Sequence, residues 1–176
     1  GSWALYSNTM GERNTANGSE ALSSNTTGYD NTANGFYALS SNTTGYDNTA
    51  NGSWALYSNT MGERNTANGY QALLNNTEGD YNTANGYGAL FKNTTGNHNV
   101  ALGYSAGYGA SNVDFNQCTF VGANSYLTTN RNNVTMLGYG IADAQCTGDN
   151  QVLLGNTSVT QIRAAVSSIT TYSDGR

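Results

Sequence analysis

A chain of 176 residues with a formal net charge of −5, a charged fraction of 10% and no proline lacks the charge and proline that usually accompany disorder. Its acidic balance offers no basic footprint to nucleic acid. It holds no run of 18 apolar residues to cross a membrane and no visible signal peptide, so neither nucleic acid binding nor membrane insertion is expected.

Residues 1–102 are one 17-residue unit written six times, starting at Gly1, Gly18, Gly35, Gly52, Gly69 and Gly86. Each unit carries Ala-Leu (Ala4-Leu5, Ala21-Leu22), then Asn-Thr (Asn8-Thr9), then a second glycine (Gly11, Gly28), and five of the six close with Asn-Thr-Ala-Asn, as at Asn14 to Asn17. The units at Gly1 and Gly52 are identical, so whole blocks have been duplicated. The period is too short for helix pairs, and Gly, Asn and Thr disfavour helix interiors. It predicts an all-β fold, a parallel β-solenoid or β-roll of about 17-residue coils. Each coil is expected to hold two extended runs, at Asn-Thr-Ala-Asn and at Ala-Leu, with turns at Asn-Gly and Thr-x-Gly.

Apolar content per coil is mainly two alanines and one leucine, which does not offset an ordering entropy of about 1–2 kcal/mol per residue. Two further sources are expected: ladders of identical Asn and Thr side chains, and association with sister chains, most simply as a homotrimer.

From residue 103 the leading glycine continues at Gly103, Gly122, Gly138 and Gly155, with spacings of 19, 16 and 17, which gives about nine coils. Residues 103–155 are irregular and more apolar (Phe115, Phe120, Val121, Val134, Met136, Leu137, Ile141, Val152, Leu153, Leu154), and are expected to form a denser stabilising cap. Inserted segments at 112–116 and 126–132 read as loops. Cys118 and Cys146 fall two rungs apart, which disfavours an intrachain disulfide and predicts free, small, buried residues. Residues 156–176 leave the period; alternation from Val159 to Ala164 suggests one more strand in a connector.

The drifting positions hold the candidate binding residues. Trp3, Tyr6, Tyr37, Trp54, Tyr57, Tyr70 and Tyr87 recur beside the Ala-Leu run, a spacing that suits stacking on sugar rings or on a partner surface; they equally suit packing across subunit seams. Tyr29, Tyr46, Tyr81, Glu12, Arg13, Glu63, Arg64 and His98 lie near the second turn. His98 replaces Arg13, Asp30, Asp47 and Arg64 of other units, an outward and substitutable place that argues against a catalytic triad. Glu78 and Asp80 read as a solvated face rather than an acid–base pair. No metal site and no cofactor is expected, and no enzyme.

The Asn-Thr-Ala-Asn-Gly-x-x-Ala-Leu unit, with Asn99-Val-Ala-Leu-Gly103, resembles the head repeats of trimeric autotransporter adhesins and the related repeats of phage-type tail fibres, whose unit is usually shorter by three residues. That resemblance spans about residues 1–160 and implies a homotrimer of parallel β-rolls, extracellular, on a virion or phage-like tail or a bacterial surface. Its implied role is attachment to a cell-surface receptor or glycan. Gly155 to Arg163 followed by Tyr172 to Arg176 resembles the junction before an intramolecular chaperone domain of the endosialidase tail-spike type. In that family the chaperone domain cuts itself off before the serine of a Ser-Asp pair, assisted by a downstream lysine. Ser173 and Asp174 match, and the lysine is not in this sequence, so no catalysis is expected of this chain alone.

A rival reading comes from threonine. Thr9, Thr26, Thr43, Thr60, Thr77 and Thr94 form one column and Thr15, Thr32, Thr49, Thr66 and Thr83 another, as an ice-binding or surface-structuring solenoid would require.

Overall fold

A computed structural model describes residues 1–109 and 113–161. Within them the chain winds as an all-β parallel solenoid of about eight turns at a spacing of about 17 residues. One nine-stranded sheet runs along the stack. Its strands are β1 (Thr15–Asn17), β2 (Thr32–Asn34), β3 (Thr49–Asn51), β4 (Thr66–Asn68), β5 (Thr83–Asn85), β6 (Val100–Leu102), β8 (Thr119–Val121), β10 (Val134–Leu137) and β11 (Gln151–Leu154). Beside it lies a small ladder of β7 (Phe115–Asn116) and β9 (Arg131–Asn132). In the regular part like lies on like: Thr15 faces Thr32, Ala16 faces Ala33 and Asn17 faces Asn34. Each strand turns its alanine inward and its Thr and Asn outward, the period of two that extended backbone imposes.

The second expected strand does not form. Around Ala-Leu the chain turns through left-handed residues at alternate positions, Trp3 (φ 63°) and Leu5 (φ 54°) in the first coil, Tyr37 (φ 58°) and Leu39 (φ 52°) in the third. This bends the run round a corner while its amides still reach the next coil, with Leu5 N–H donating to the Ala21 carbonyl and Leu22 N–H to that of Ala38, both at 3.0 Å. A left-handed leucine costs about 1–2 kcal/mol. Burying its side chain returns about 1.5–3 kcal/mol, and Leu22, Leu39, Leu56, Leu73 and Leu90 are all fully buried.

The interior is partly polar. Asn25, Asn42, Asn59, Asn76 and Asn93 form one fully buried column and Asn31, Asn48, Asn65, Asn82 and Asn99 another. In the first, each Nδ2 donates to the glycine carbonyl three residues on and to the Asn Oδ1 of the preceding coil: Asn42 reaches Gly45 O at 2.9 Å and Asn25 Oδ1 at 2.8 Å. In the second, from Asn31 to Asn82, each Oδ1 accepts from the backbone N–H of the Asn above and each Nδ2 donates to the glycine carbonyl of the coil above. Asn31 does so toward Asn48 at 3.0 Å and Gly45 at 2.8 Å, while Asn99 Nδ2 donates to the Phe115 carbonyl. These columns satisfy polar groups that would otherwise be buried unpaired. The expected Asn ladders therefore form inside one chain, and they leave its polar interior paired without a sister chain.

Threonine ladders the corner differently. The Thr26 carbonyl accepts from the backbone N–H groups of Thr9, Met10 and Gly11 and from the Thr9 hydroxyl. Where the repeat lengthens after Gly96, the Asp114 carboxylate takes over that role, accepting from the N–H and hydroxyl groups of both Thr94 and Thr95. Burial pushes the Asp114 pKa up, but the four hydrogen bonds outweigh it and hold the group below its ordinary 3.8. A carboxylate with a lowered folded pKa stabilises fully above its unfolded value and loses that contribution as pH falls through the folded one. Acid unfolding of the wild type below about pH 4 is therefore expected to include a component that Asp114→Asn removes, measured as the difference in thermal midpoint between neutral and acidic buffer.

The cap differs from expectation in two ways. Phe115, Phe120, Val134, Met136 and Ile141 are buried, but Val121, Leu137, Val152 and Leu154 point outward, because the strands alternate. The segments read as loops supply β7 and β9, the 126–132 segment reaching its strand only at Arg131, while residue 112 lies outside the described residues. Cys118 and Cys146 are free and buried, as expected. Cys118 continues the second Asn column: its N–H is held by Asn99 Oδ1 at 2.9 Å, and its sulfur accepts the Val134 N–H at 3.5 Å. Burial pushes its thiol pKa up, the opposite of a reactive thiolate. Residues 156–161 form no strand, and the remainder of the expected strand, with Ser173 and Asp174, lies outside the described residues. Among the described residues no helix is long and apolar enough to cross a membrane.

Candidate aromatic binding face

The coil register places the second, third and sixth residues of every unit at the same corner, next to the buried Ala-Leu pair. Aromatic rings at these positions meet along the stack. The seven candidates fall into three groups. Trp3 and Tyr6 meet edge to face at 4.7 Å, with 59% and 69% of their surface exposed. Tyr37, Trp54 and Tyr57 form a second cluster with Phe36: Tyr37 stacks on Trp54 at 4.7 Å, and Trp54 lies 4.7 Å from Tyr57. Tyr37 Oη also donates to Glu20 Oε1 at 2.7 Å, which together with burial pushes its phenol above the usual range. Tyr70 and Tyr87 stack at 5.2 Å, and Tyr104 extends that column at 5.1 Å. Parallel stacking at the coil spacing follows from placing like rings one rung apart.

The second corner is occupied by its own contacts. Arg13 donates to both carboxylate oxygens of Asp30 at 2.6 and 2.8 Å, and that hydrogen bonding with the Arg13 charge holds Asp30 below its ordinary range. Tyr29 stacks on Tyr46 at 4.7 Å, the Arg64 guanidinium sits 5.2 Å from the rings of both Tyr46 and Tyr81, and His98 stacks on Tyr81 at 4.9 Å. His98 is exposed. Among the described residues no group of three His, Cys, Asp or Glu is arranged to hold a metal.

Sequence reasoning missed the upper end of the first corner. There Tyr87, Tyr104, Tyr108 and Tyr126, with Ser105, Gly109 and Asn124, line a groove of about 530 Å³. Tyr108 stacks on Phe91 at 4.9 Å. The signal was present: carrying the register on to Gly103 puts Tyr104 in the column of Tyr70 and Tyr87, and Tyr108 in the column of Tyr6 and Tyr57.

The outer face of the sheet changes character along the stack. Over β1 to β5 it shows Thr and Asn, with Asn17, Asn34, Asn51 and Asn68 linked amide to amide at 2.8–2.9 Å. From β6 to β11 it shows Leu102, Val121, Leu137 and Leu154 in one register column, flanked by Val100 and Val152, all 36–68% exposed.

No known protein family, no curated protein and no solved structure matches this chain.

Proposed function

We propose that this chain is the shaft or head segment of a homotrimeric extracellular fibre, of the tail-fibre or surface-adhesin kind, that attaches a particle or cell to a surface receptor or glycan. The observation that carries the reading is the aromatic corner: rings recur along the stack, half exposed, and none of the seven candidates belongs to the core. Assembly is supported by the apolar column on β6 to β11, since contiguous exposed apolar side chains mark interaction surfaces. Three chains presenting the same corner multiply weak contacts into avidity. The reading assigns the chain no catalysis and no cofactor.

Fluorescently labelled protein applied to a panel of intact bacterial cells and counted by flow cytometry tests it. Saturable binding to at least one strain, lost when Tyr37, Trp54 and Tyr57 are all changed to serine, is expected. Absence of binding across the panel contradicts the attachment role.

One observation favours a second reading. The hydroxyls of Thr15, Thr32, Thr49, Thr66 and Thr83 sit on the outer sheet face and make no hydrogen bond among the described residues, whereas the Thr9 to Thr77 hydroxyls donate to carbonyls of the next coil. Only the sheet column is thus available to order water. Thermal hysteresis abolished by Thr49→Tyr supports an ice-binding role, and its absence in the wild type removes that role.

A further inference from the structure

We infer that the groove above Tyr104 and Tyr108 is a subsite for a neutral pyranose, one hexose or N-acetylhexosamine unit of a surface glycan; the inference rests on the attachment reading and names its ligand. The groove exists because two aromatic columns end there together. Tyr104 has Tyr87 on one side, and the next coil puts only Ala123 in its column. Tyr108 has Phe91 on one side, and Leu127, the equivalent residue above, is turned into the core. Among the described residues neither ring has an aromatic partner beyond, so each column ends in a tyrosine with ring surface left over; Tyr104 is 55% and Tyr108 37% exposed.

The third position of the unit decides whether the corner is filled or hollow. In the third and fourth coils it holds Tyr37 and Trp54, which occupy the space between the columns. In the sixth and seventh it holds Gly88 and Ser105. Tyr108 leans over Gly88, its ring carbons 3.6 Å from where a Cβ would stand, and Ser105 forms part of the lining. Tyr126 and Asn124 complete the wall.

This lining matches a sugar in three respects. Uncovered tyrosine surfaces suit the C–H face of a pyranose ring, which is apolar although the rim is not. Phenol hydroxyls, the Ser105 hydroxyl and the Asn124 amide supply donors and acceptors for that hydroxyl rim. Among the described residues no charged side chain lines the groove, and the chain as a whole carries −5, so the lining favours a neutral sugar over an acidic one. A volume of about 530 Å³ falls in the range of small-ligand sites.

Saturation-transfer NMR on the whole chain, with methyl glucopyranoside, methyl galactopyranoside, N-acetylglucosamine and N-acetylneuraminic acid as separate probes, tests the site. Transfer to ring C–H protons of at least one neutral probe is expected, with none to the acidic one. Tyr104→Ala combined with Tyr108→Ala is expected to reduce the signal to background. Ser105→Trp does the same without deleting a tyrosine. It fills the hollow as Trp54 does, at a left-handed position (φ 50°) whose counterpart Trp54 has φ 64°, so the fold tolerates an aromatic there. Met61→Ala, at an exposed position outside the ring columns and the groove, leaves the signal intact. Circular dichroism confirms that each variant folds. Silence toward every neutral probe, transfer only to the acidic sugar, or a signal that survives Ser105→Trp overturns the site. If cells still bind the wild type in that event, the attachment role stands and only this ligand assignment falls.

Discussion

Gly52→Ala is expected to break the stack in its middle. Gly52 sits at φ +139°, where side-chain-bearing residues are strained, and an added Cβ would stand 2.5 Å from the Gly69 carbonyl oxygen and 2.7 Å from its carbon. Those are backbone atoms of the next coil and cannot rotate away. The coils must separate, which opens the interface on both sides of the corner, and stability in a stack is the sum of such neighbour contacts. A loss of more than about 4 kcal/mol is expected, the range reserved for a specific steric fault in a packed interior. Ser53→Ala, one residue on, is the control and should change little. Thermal unfolding followed by circular dichroism measures both; near-equal midpoints for Gly52→Ala and wild type would show that the coils do not approach this closely.

Asn48→Leu tests the polar part of the interior. Asn48 Oδ1 accepts the Asn65 backbone N–H at 3.0 Å, and its Nδ2 donates to the Gly62 carbonyl at 2.8 Å. Leucine has similar bulk but leaves that N–H buried and unpaired, at about 1–3 kcal/mol, and removes one of the two donors on Gly62, the other being Asn59. A total near 3 kcal/mol is expected on these magnitudes. The same exchange at Asn51, whose side chain lies on the outer sheet face in an amide chain with Asn34 and Asn68, is expected to cost less than about 1 kcal/mol. Equal effects at the two positions would contradict the buried Asn columns.

Much of this architecture is legible because identical side chains recur at identical places. The period gave the coil, the invariant Ala-Leu gave its inward corner, and the invariant asparagines were candidates for ladders. The backbone of that corner was not legible, since leucine seldom adopts a left-handed conformation and only the packing of one coil on the next imposes it. The apolar residues after Gly103 were read as one core because composition does not tell which of two alternating faces a valine or leucine takes. Val134 and Met136 went in; Val121 and Leu137 went out. That reversal matters, as it puts the argument for the proposed association on an exposed surface. The candidate rings lie at one corner, but the groove depends on small residues, Gly88 and Ser105, where the eye looks for large ones.

Light scattering on the purified chain across a range of concentrations tests the fibre account most directly. The account predicts a mass three times that of the 18.5 kDa chain, falling to a single folded chain when Leu137→Lys places a charge in the apolar column. A wild-type chain that stays monomeric at every concentration, with that column in water, would contradict it.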